Sequence, residues 1–252
     1  MNATAASSAT WDHRLGWIVP SWNTVTEFEA TRLAPPGISQ HFTRIAHTED
    51  TEEAFARMAV QAPEAADLLA HAGVDAVCYA CTAGSFFRGR AYDVSLSAEL
   101  TARAGRPVVT MADTLVQAAR ALGMERVAVG APYEAWLMDL LVAYLEEGGL
   151  TVLRAAGLGH QANVLYEPSK AVELADAAWD PAADGLILSC GNFRTLESID
   201  VIEARFERPV ITSVQAAMWG LLQATGAQQG DGPGRLLGAP APSQPANAAP
   251  PA

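Results

Sequence analysis

Asp75-Ala-Val-Cys-Tyr-Ala-Cys81 and Asp184-Gly-Leu-Ile-Leu-Ser-Cys190 are one pattern written twice: an aspartate, a short apolar run, and a cysteine six residues on. The run is too short for a helix and is apolar without alternation, as expected of a strand buried on both faces of a parallel sheet. The repeat extends outward in both directions. Downstream, Pro107-Val-Val-Thr110 leads into a helical stretch ending in ARALG, and Pro209-Val-Ile-Thr212 into one ending in LQATG. Upstream, Arg14-Leu-Gly-Trp-Ile-Val-Pro-Ser-Trp-Asn23 matches Arg126-Val-Ala-Val-Gly-Ala-Pro-Tyr133. Three segments recurring in the same order predict two similar lobes.

Around this repeat, strand candidates (Leu15–Val19, Val74–Tyr79, Val108–Val109, Val127–Val129, Leu186–Leu188 and Val210–Ile211) alternate with longer amphipathic stretches. That alternation is the mark of a parallel sheet covered by helices. Pro63, inside the helical stretch from about Thr51 to Ala72, predicts a break or kink there. The small, polar start of the chain and the Pro-, Ala- and Gly-rich end from Gly226 onward predict disorder in both.

Bulk properties narrow the function. The 252 residues are half apolar and carry a formal charge of −12. Such an acidic chain is a poor match for nucleic acid or an anionic membrane, both of which need a basic surface. No segment reaches the roughly 20 apolar residues that span a bilayer. Three cysteines without an even framework, and no secretory leader, predict a reducing, cytoplasmic setting. Cys78 and Cys81 form a CxxC, but no second pair or histidine spacing completes a zinc site, so neither metal nor cofactor is expected. The five histidines (His13, His41, His47, His71, His160) show no metal or triad spacing; His71 falls at an expected helix C-terminus.

Ligands of open parallel sheets bind beyond the carboxyl ends of the strands. Cys81, Cys190, Asn23 and Tyr133 all stand at such ends. Related by a pseudo-twofold axis, the lobes would set Cys81 opposite Cys190 across one cleft. Thr82 and Ala83 on one side, and Gly191 and Asn192 on the other, would present backbone N–H groups to an anion such as a small carboxylate. The same N–H groups are expected to lower a thiol pKa toward neutrality. Two opposed thiols suit proton transfer beside a carboxylate, or addition to an activated double bond with protonation of its neighbour.

Each residue also has a plainer reading. A free cysteine is most often a small hydrophobe, and Cys78, inside its strand, is read that way. Asn23 could cap a helix while touching ligand, and Tyr133 could be a packing residue. Thr110 and Thr212 end equivalent strands and suit capping, with Thr110 kept as a candidate ligand contact. Arg88 and Arg194 read as surface groups, and Glu27 and Glu29 as first-turn helix residues.

From Arg14 to Gly226 the chain resembles the aspartate/glutamate racemase superfamily, in its branch of maleate cis-trans isomerase and arylmalonate decarboxylase. Val-Pro-Ser-Trp-Asn-Thr at 19–24, Tyr-Ala-Cys at 79–81, Pro-Tyr at 132–133 and Leu-Ser-Cys-Gly at 188–191 carry the likeness. It implies an α/β fold of two pseudo-symmetric Rossmann-like lobes, each with a parallel four-stranded sheet, and an interlobe active site. Lobe 1 would span 13–112 and lobe 2 113–208; a strand and helix over 209–225 would return to lobe 1, with 1–12 and 226–252 disordered. By the same likeness, Asn23 and Tyr133 bind the substrate carboxylate, helped by N–H groups near Ala83 and Asn192, and Cys81 and Cys190 are the catalytic thiols. The resemblance implies a small carboxylate as ligand and leaves homo-oligomerisation open, with the apolar face of Ala135–Leu145 as a candidate contact.

The decarboxylases carry glycine where Cys81 stands, so two cysteines favour an isomerase of small unsaturated dicarboxylates of the maleate type, or a racemase. Gly84-Ser-Phe-Phe-Arg-Gly89 and Ser189-Cys-Gly-Asn-Phe-Arg-Thr-Leu196 look more like the decarboxylase. A role in ectoine breakdown and a non-catalytic carboxylate sensor complete the alternatives.

Overall fold

In the computed structural model, residues 11–162 and 164–238 are described. The first lobe runs β1 (His13–Pro20), α1 (Thr26–Leu33), β2 (Ile38–Ile45), α2 (Glu52–His71), β3 (Ala76–Tyr79), α3 (Thr82–Phe86), α4 (Gly89–Ala104), β4 (Val108–Thr110) and α5 (Met111–Ala121). The second runs β5 (Arg126–Ala131), α6 (Ala135–Glu147), β6 (Thr151–Gly157), α7 (Ser169–Ala178), β7 (Gly185–Leu188), a 3-10 turn at Leu196–Ser198, α8 (Ile199–Phe206), β8 (Val210–Thr212), α9 (Ser213–Thr225) and α10 (Gly234–Gly238). The sheets are ordered β2-β1-β3-β4 and β6-β5-β7-β8, and every pairing is parallel. The duplicated, two-lobed α/β architecture expected from the sequence is therefore present.

The repeated aspartates do one job twice. Asp75 Oδ2 accepts the Arg14 N–H at 2.8 Å, and Asp184 Oδ2 accepts the Arg126 N–H at the same distance, so each pins the start of the neighbouring strand. Arg126 also pairs with Asp184, holding that carboxyl down at about 2. The repeated prolines align too: Pro107 O receives the Val77 N–H, and Pro209 O that of Leu186.

β3 and β7 are buried on both faces, as are β1 from Leu15 onward and β5 from Val127 onward, which explains why their sequences are apolar throughout. The two unexpected strands, β2 and β6, lie at sheet edges and are half exposed. Their polar runs (ISQHFTRI and TVLRAAG) carry no strand signal, because an edge needs little burial.

Several expectations change. α2 passes through Pro63 as one 20-residue helix; buried Ala54, Phe55, Met58, Ala62, Ala65, Ala66 and Leu69 anchor both halves, outweighing the lost N–H bond. β8 pairs with β7, so it completes the second sheet and does not return to lobe 1. Only its helix crosses: α9 lies against α5, α1, β3 and β4. α5 and α9 approach closely at Gly220, where a Cβ would fall 2.5 Å from Thr114 Cγ2. Beyond Gly226 the chain stays ordered to Gly238: Leu236 and Leu237 are buried, and Glu203 receives the Arg235 N–H. At the other end, the Asp12 N–H reaches Gly37 O. The disorder expected for 1–10 and 239–252 lies outside the described residues.

Candidate active site

One cavity lies between the carboxyl ends of the two sheets. It is bordered by Asn23 after β1, His47 and Asp50 after β2, Cys81, Thr82 and Ala83 after β3, Tyr133 after β5, Ala162 after β6, and Cys190, Gly191 and Asn192 after β7. The sequence-derived residues thus converge, with one exception. Thr110 borders a different cavity: it caps α5, accepting the Asp113 N–H, and donates to Asp93 Oδ2 at 2.8 Å. Its strand ends at the sheet edge, one strand away from Cys81. Thr212 likewise stands at the N-cap of α9. Cys78 is a core residue, and Arg88 and Arg194 lie outside the cavity, against Phe87 and Glu197 respectively.

Cys81 is the N-cap of α3, and its Sγ accepts the Gly84 N–H at 3.3 Å. Gly84 fits closely: a Cβ would meet Met58 Cε at 2.5 Å and Tyr79 Oη at 2.9 Å, so a larger residue would have to push both side-chain tips aside. Cys190 is held differently. Its φ is +112°, a region that side chains disfavour; its Sγ accepts the Asn192 N–H at 3.4 Å, and its own N–H donates to Ser213 Oγ at 2.9 Å. Ser213 Oγ also accepts the Thr82 hydroxyl, tying the residue after Cys81 to Cys190.

Asn23 caps α1 and borders the cavity. Its Oδ1 accepts the Val25 and Thr26 N–H groups at the start of α1, while Nδ2 gives one hydrogen to Thr26 Oγ1 and keeps a second for a ligand. Thr24 N–H donates to Asn192 Oδ1 and Thr26 Oγ1 to Gly191 O, so the first lobe is stitched to the Cys190 loop. Behind that loop, buried Glu29 accepts the Thr195 and Leu196 N–H groups. Burial outweighs those bonds and pushes its carboxyl up to about 7.

The expected lowering of the thiols is overturned. Burial is the largest influence on both: it drives Cys81 far up and Cys190 up to about 12, against the opposing backbone N–H groups, with Asp50 adding to the rise in each. Asp50 and His47 escaped sequence reasoning. His47 Nε2 lies 3.3 Å from Asp50 Oδ1, both side chains nearly fully buried. They follow β2, and without that edge strand nothing marked them as strand-end residues. Asp50 Oδ2 accepts the Ala162 N–H at 2.6 Å and Asn192 Nδ2 donates to Ala162 O at 2.7 Å, which closes the segment after β6 over the cavity. The remaining space is about 20 Å³, room for about one water.

Among the described residues no group of three or more His, Cys, Asp or Glu side chains is placed to hold a metal, and no helix is long and apolar enough to cross a membrane. Two duplicated α/β lobes each bring a strand-end cysteine to the border of one cavity. The chain belongs to the arylmalonate decarboxylase family, whose model matches residues 15–237. It is 31% identical to the arylmalonate decarboxylase of Bordetella bronchiseptica, covering 88% of this chain and 95% of that one. It superimposes on a maleate isomerase of Pseudomonas putida S16, solved with maleate, at a TM-score of 0.85 and 28% identity, covering 89% and 97% of the two chains. A Nocardia farcinica maleate cis-trans isomerase, a cysteine-to-serine mutant with a covalently bound succinylcysteine intermediate, matches at 0.85 and 26% identity, covering 89% and 98%. The chain is thus an enzyme of the family that contains maleate isomerases and arylmalonate decarboxylases.

Proposed function

We propose that this enzyme isomerises a small unsaturated dicarboxylate of the maleate type from cis to trans, without a cofactor, through Cys81 and Cys190. The observation that carries the reading is the presence of both strand-end thiols on one cavity, with Asn23 and Tyr133 beside them. Cys81 loses its proton to solvent before closure, while water still offsets the burial that otherwise keeps it a thiol. Its thiolate adds to one alkene carbon, and the alkene electron pair moves to the other, delocalised into the adjoining carboxylate. Cys190 S–H protonates that carbon, giving a succinyl thioether and a Cys190 thiolate. After rotation about the new single bond, Cys190 takes a proton back and the Cys81–carbon bond breaks, re-forming the alkene in the trans geometry. The Asn23 amide, Tyr133 hydroxyl and backbone N–H groups near Thr82, Ala83, Gly191 and Asn192 orient the carboxylates. The maleate and succinylcysteine complexes of the two isomerases support this course.

Proton NMR with maleate in deuterated buffer tests it. Fumarate should appear with the wild type, and Cys81→Ala and Cys190→Ala should each slow it by at least about 10²-fold. Unchanged maleate with the wild type would overturn the reading. A second reading, decarboxylation of a substituted malonate with Cys190 protonating the enediolate, is favoured by the decarboxylase-like residues 84–89 and 189–196; carbon dioxide release from phenylmalonate by the same protein would support it.

A further inference from the structure

His47 is the one described side chain bordering the cavity that can carry positive charge, since no lysine or arginine lines it. It is 1% exposed and packed between the rings of Trp22 at 4.9 Å and Phe55 at 5.1 Å. With Nε2 turned to Asp50, its Nδ1 is buried without a partner. A buried nitrogen left unpaired is costly unless something fills the position. Asp50 fixes the ring and, through Ala162, joins it to the cover of the cavity. A dianion entering this space beside Asp50 would bring like charges together in a dry pocket, a steep penalty without a cation.

We infer that His47, as an imidazolium oriented by Asp50, donates Nδ1–H to the second carboxylate of the substrate, so that binding a dicarboxylate takes up one proton from solution. The inference rests on the isomerase reading for its substrate class and goes beyond it by assigning the distal wall. His47 becomes a binding residue and Asp50 a positioning residue. The dicarboxylate, and not a monocarboxylate, is then the ligand that charges the pair.

The other titratable groups on the cavity are Asp50, Cys81, Cys190 and Tyr133. Outside it, Arg44 is paired with Glu27 and Glu49 with Arg57. Both thiols and Tyr133 already hold their protons at neutral pH, because burial pushes all three up. Glu29, behind the Cys190 loop, is the nearby group that requires a control.

Calorimetric titration of the full-length Cys81→Ala protein, in which no thiol proton is released and no maleate is turned over, with maleate at pH 8 in two buffers of different ionisation enthalpy reads proton uptake directly. About one proton per maleate is expected, and the uptake should persist in Glu29→Gln. In His47→Gln the uptake should vanish and maleate affinity fall at least about tenfold, while binding of the monoamide maleamate changes less than about threefold. Asp50→Asn should weaken maleate more than maleamate binding, which a purely structural role would not do. No uptake with bound maleate, uptake retained in His47→Gln, maleamate bound more tightly than maleate, or no maleate binding would each overturn the inference. Isomerisation is scored separately by NMR. Uptake without fumarate from the wild type would sink the isomerase reading alone, whereas fumarate formed with no proton uptake on maleate binding would sink this inference alone.

Discussion

Cys81 and Cys190 end equivalent strands of a duplicated sheet, yet the two strand ends are built differently. At Cys81 the backbone is extended, with φ −127°, and the thiol caps a helix that begins at the next residue. At Cys190 the backbone turns to φ +112°, and no α-helix begins until Ile199. The Cys81 thiol is held by its own helix. The Cys190 thiol accepts the Asn192 N–H of its own loop, and that loop is held from outside: by Ser213 at the Cys190 N–H, by the Asn23–Thr26 segment at Gly191 and Asn192, and by Glu29 under Thr195 and Leu196. Duplication supplied two thiols; divergence gave one a relaxed cap and the other a strained loop braced by the opposite lobe. Strain of this kind persists only where the surroundings impose it.

Three experiments probe this contrast, beginning with the largest effect. Glu29 braces only the Cys190 side, and its folded carboxyl sits near 7 against an ordinary value of 4.5. Because the folded state binds this proton more tightly, Glu29 is protonated when folded and ionised when unfolded between those two values. Stability should therefore fall as pH rises through that window and level off above it, by up to about 3 kcal/mol. Urea unfolding from pH 4.5 to 8 should show the slope in the wild type and a flatter profile in Glu29→Gln; parallel profiles would remove Glu29 from the brace.

Ser213 links the two strand ends. Ser213→Ala leaves the buried Cys190 N–H unpaired and should cost about 1–3 kcal/mol. Turnover should fall while the Cys81 thiol keeps its alkylation rate. Equal loss at both thiols would show that Ser213 supports the whole cavity.

The smallest effect isolates backbone strain. Cys190→Gly should be about 1 kcal/mol more stable than Cys190→Ala, because glycine accepts a positive φ. Cys81→Gly against Cys81→Ala should show no such gain, glycine being entropically unfavourable at an unstrained φ. If both glycines stabilise equally, the contrast at the strand ends fails.

Much of this was visible in the chain. The buried central strands are apolar because both their faces are covered, and an apolar run ending in cysteine repeats legibly. Of the nine site residues named from sequence, eight border the cavity and Thr110 borders another, because a threonine at a strand end looks the same whether its strand is central or at the edge. The edge strands β2 and β6 were illegible, since water satisfies one side of them and no apolar pattern is required. His47 and Asp50 were lost with β2.

Sequence alone determined the duplication, the parallel α/β lobes and the pair of strand-end cysteines, because strand burial and repeat order are written in local residue patterns. Tertiary structure alone decided the thiol pKa direction, the φ of Cys190, the crossing of α9 and the pairing of His47 with Asp50. The first three depend on desolvation or on contacts between residues far apart in the chain, and the fourth, between residues three apart, on the burial of both side chains; these conditions arise only when the two lobes close on one another.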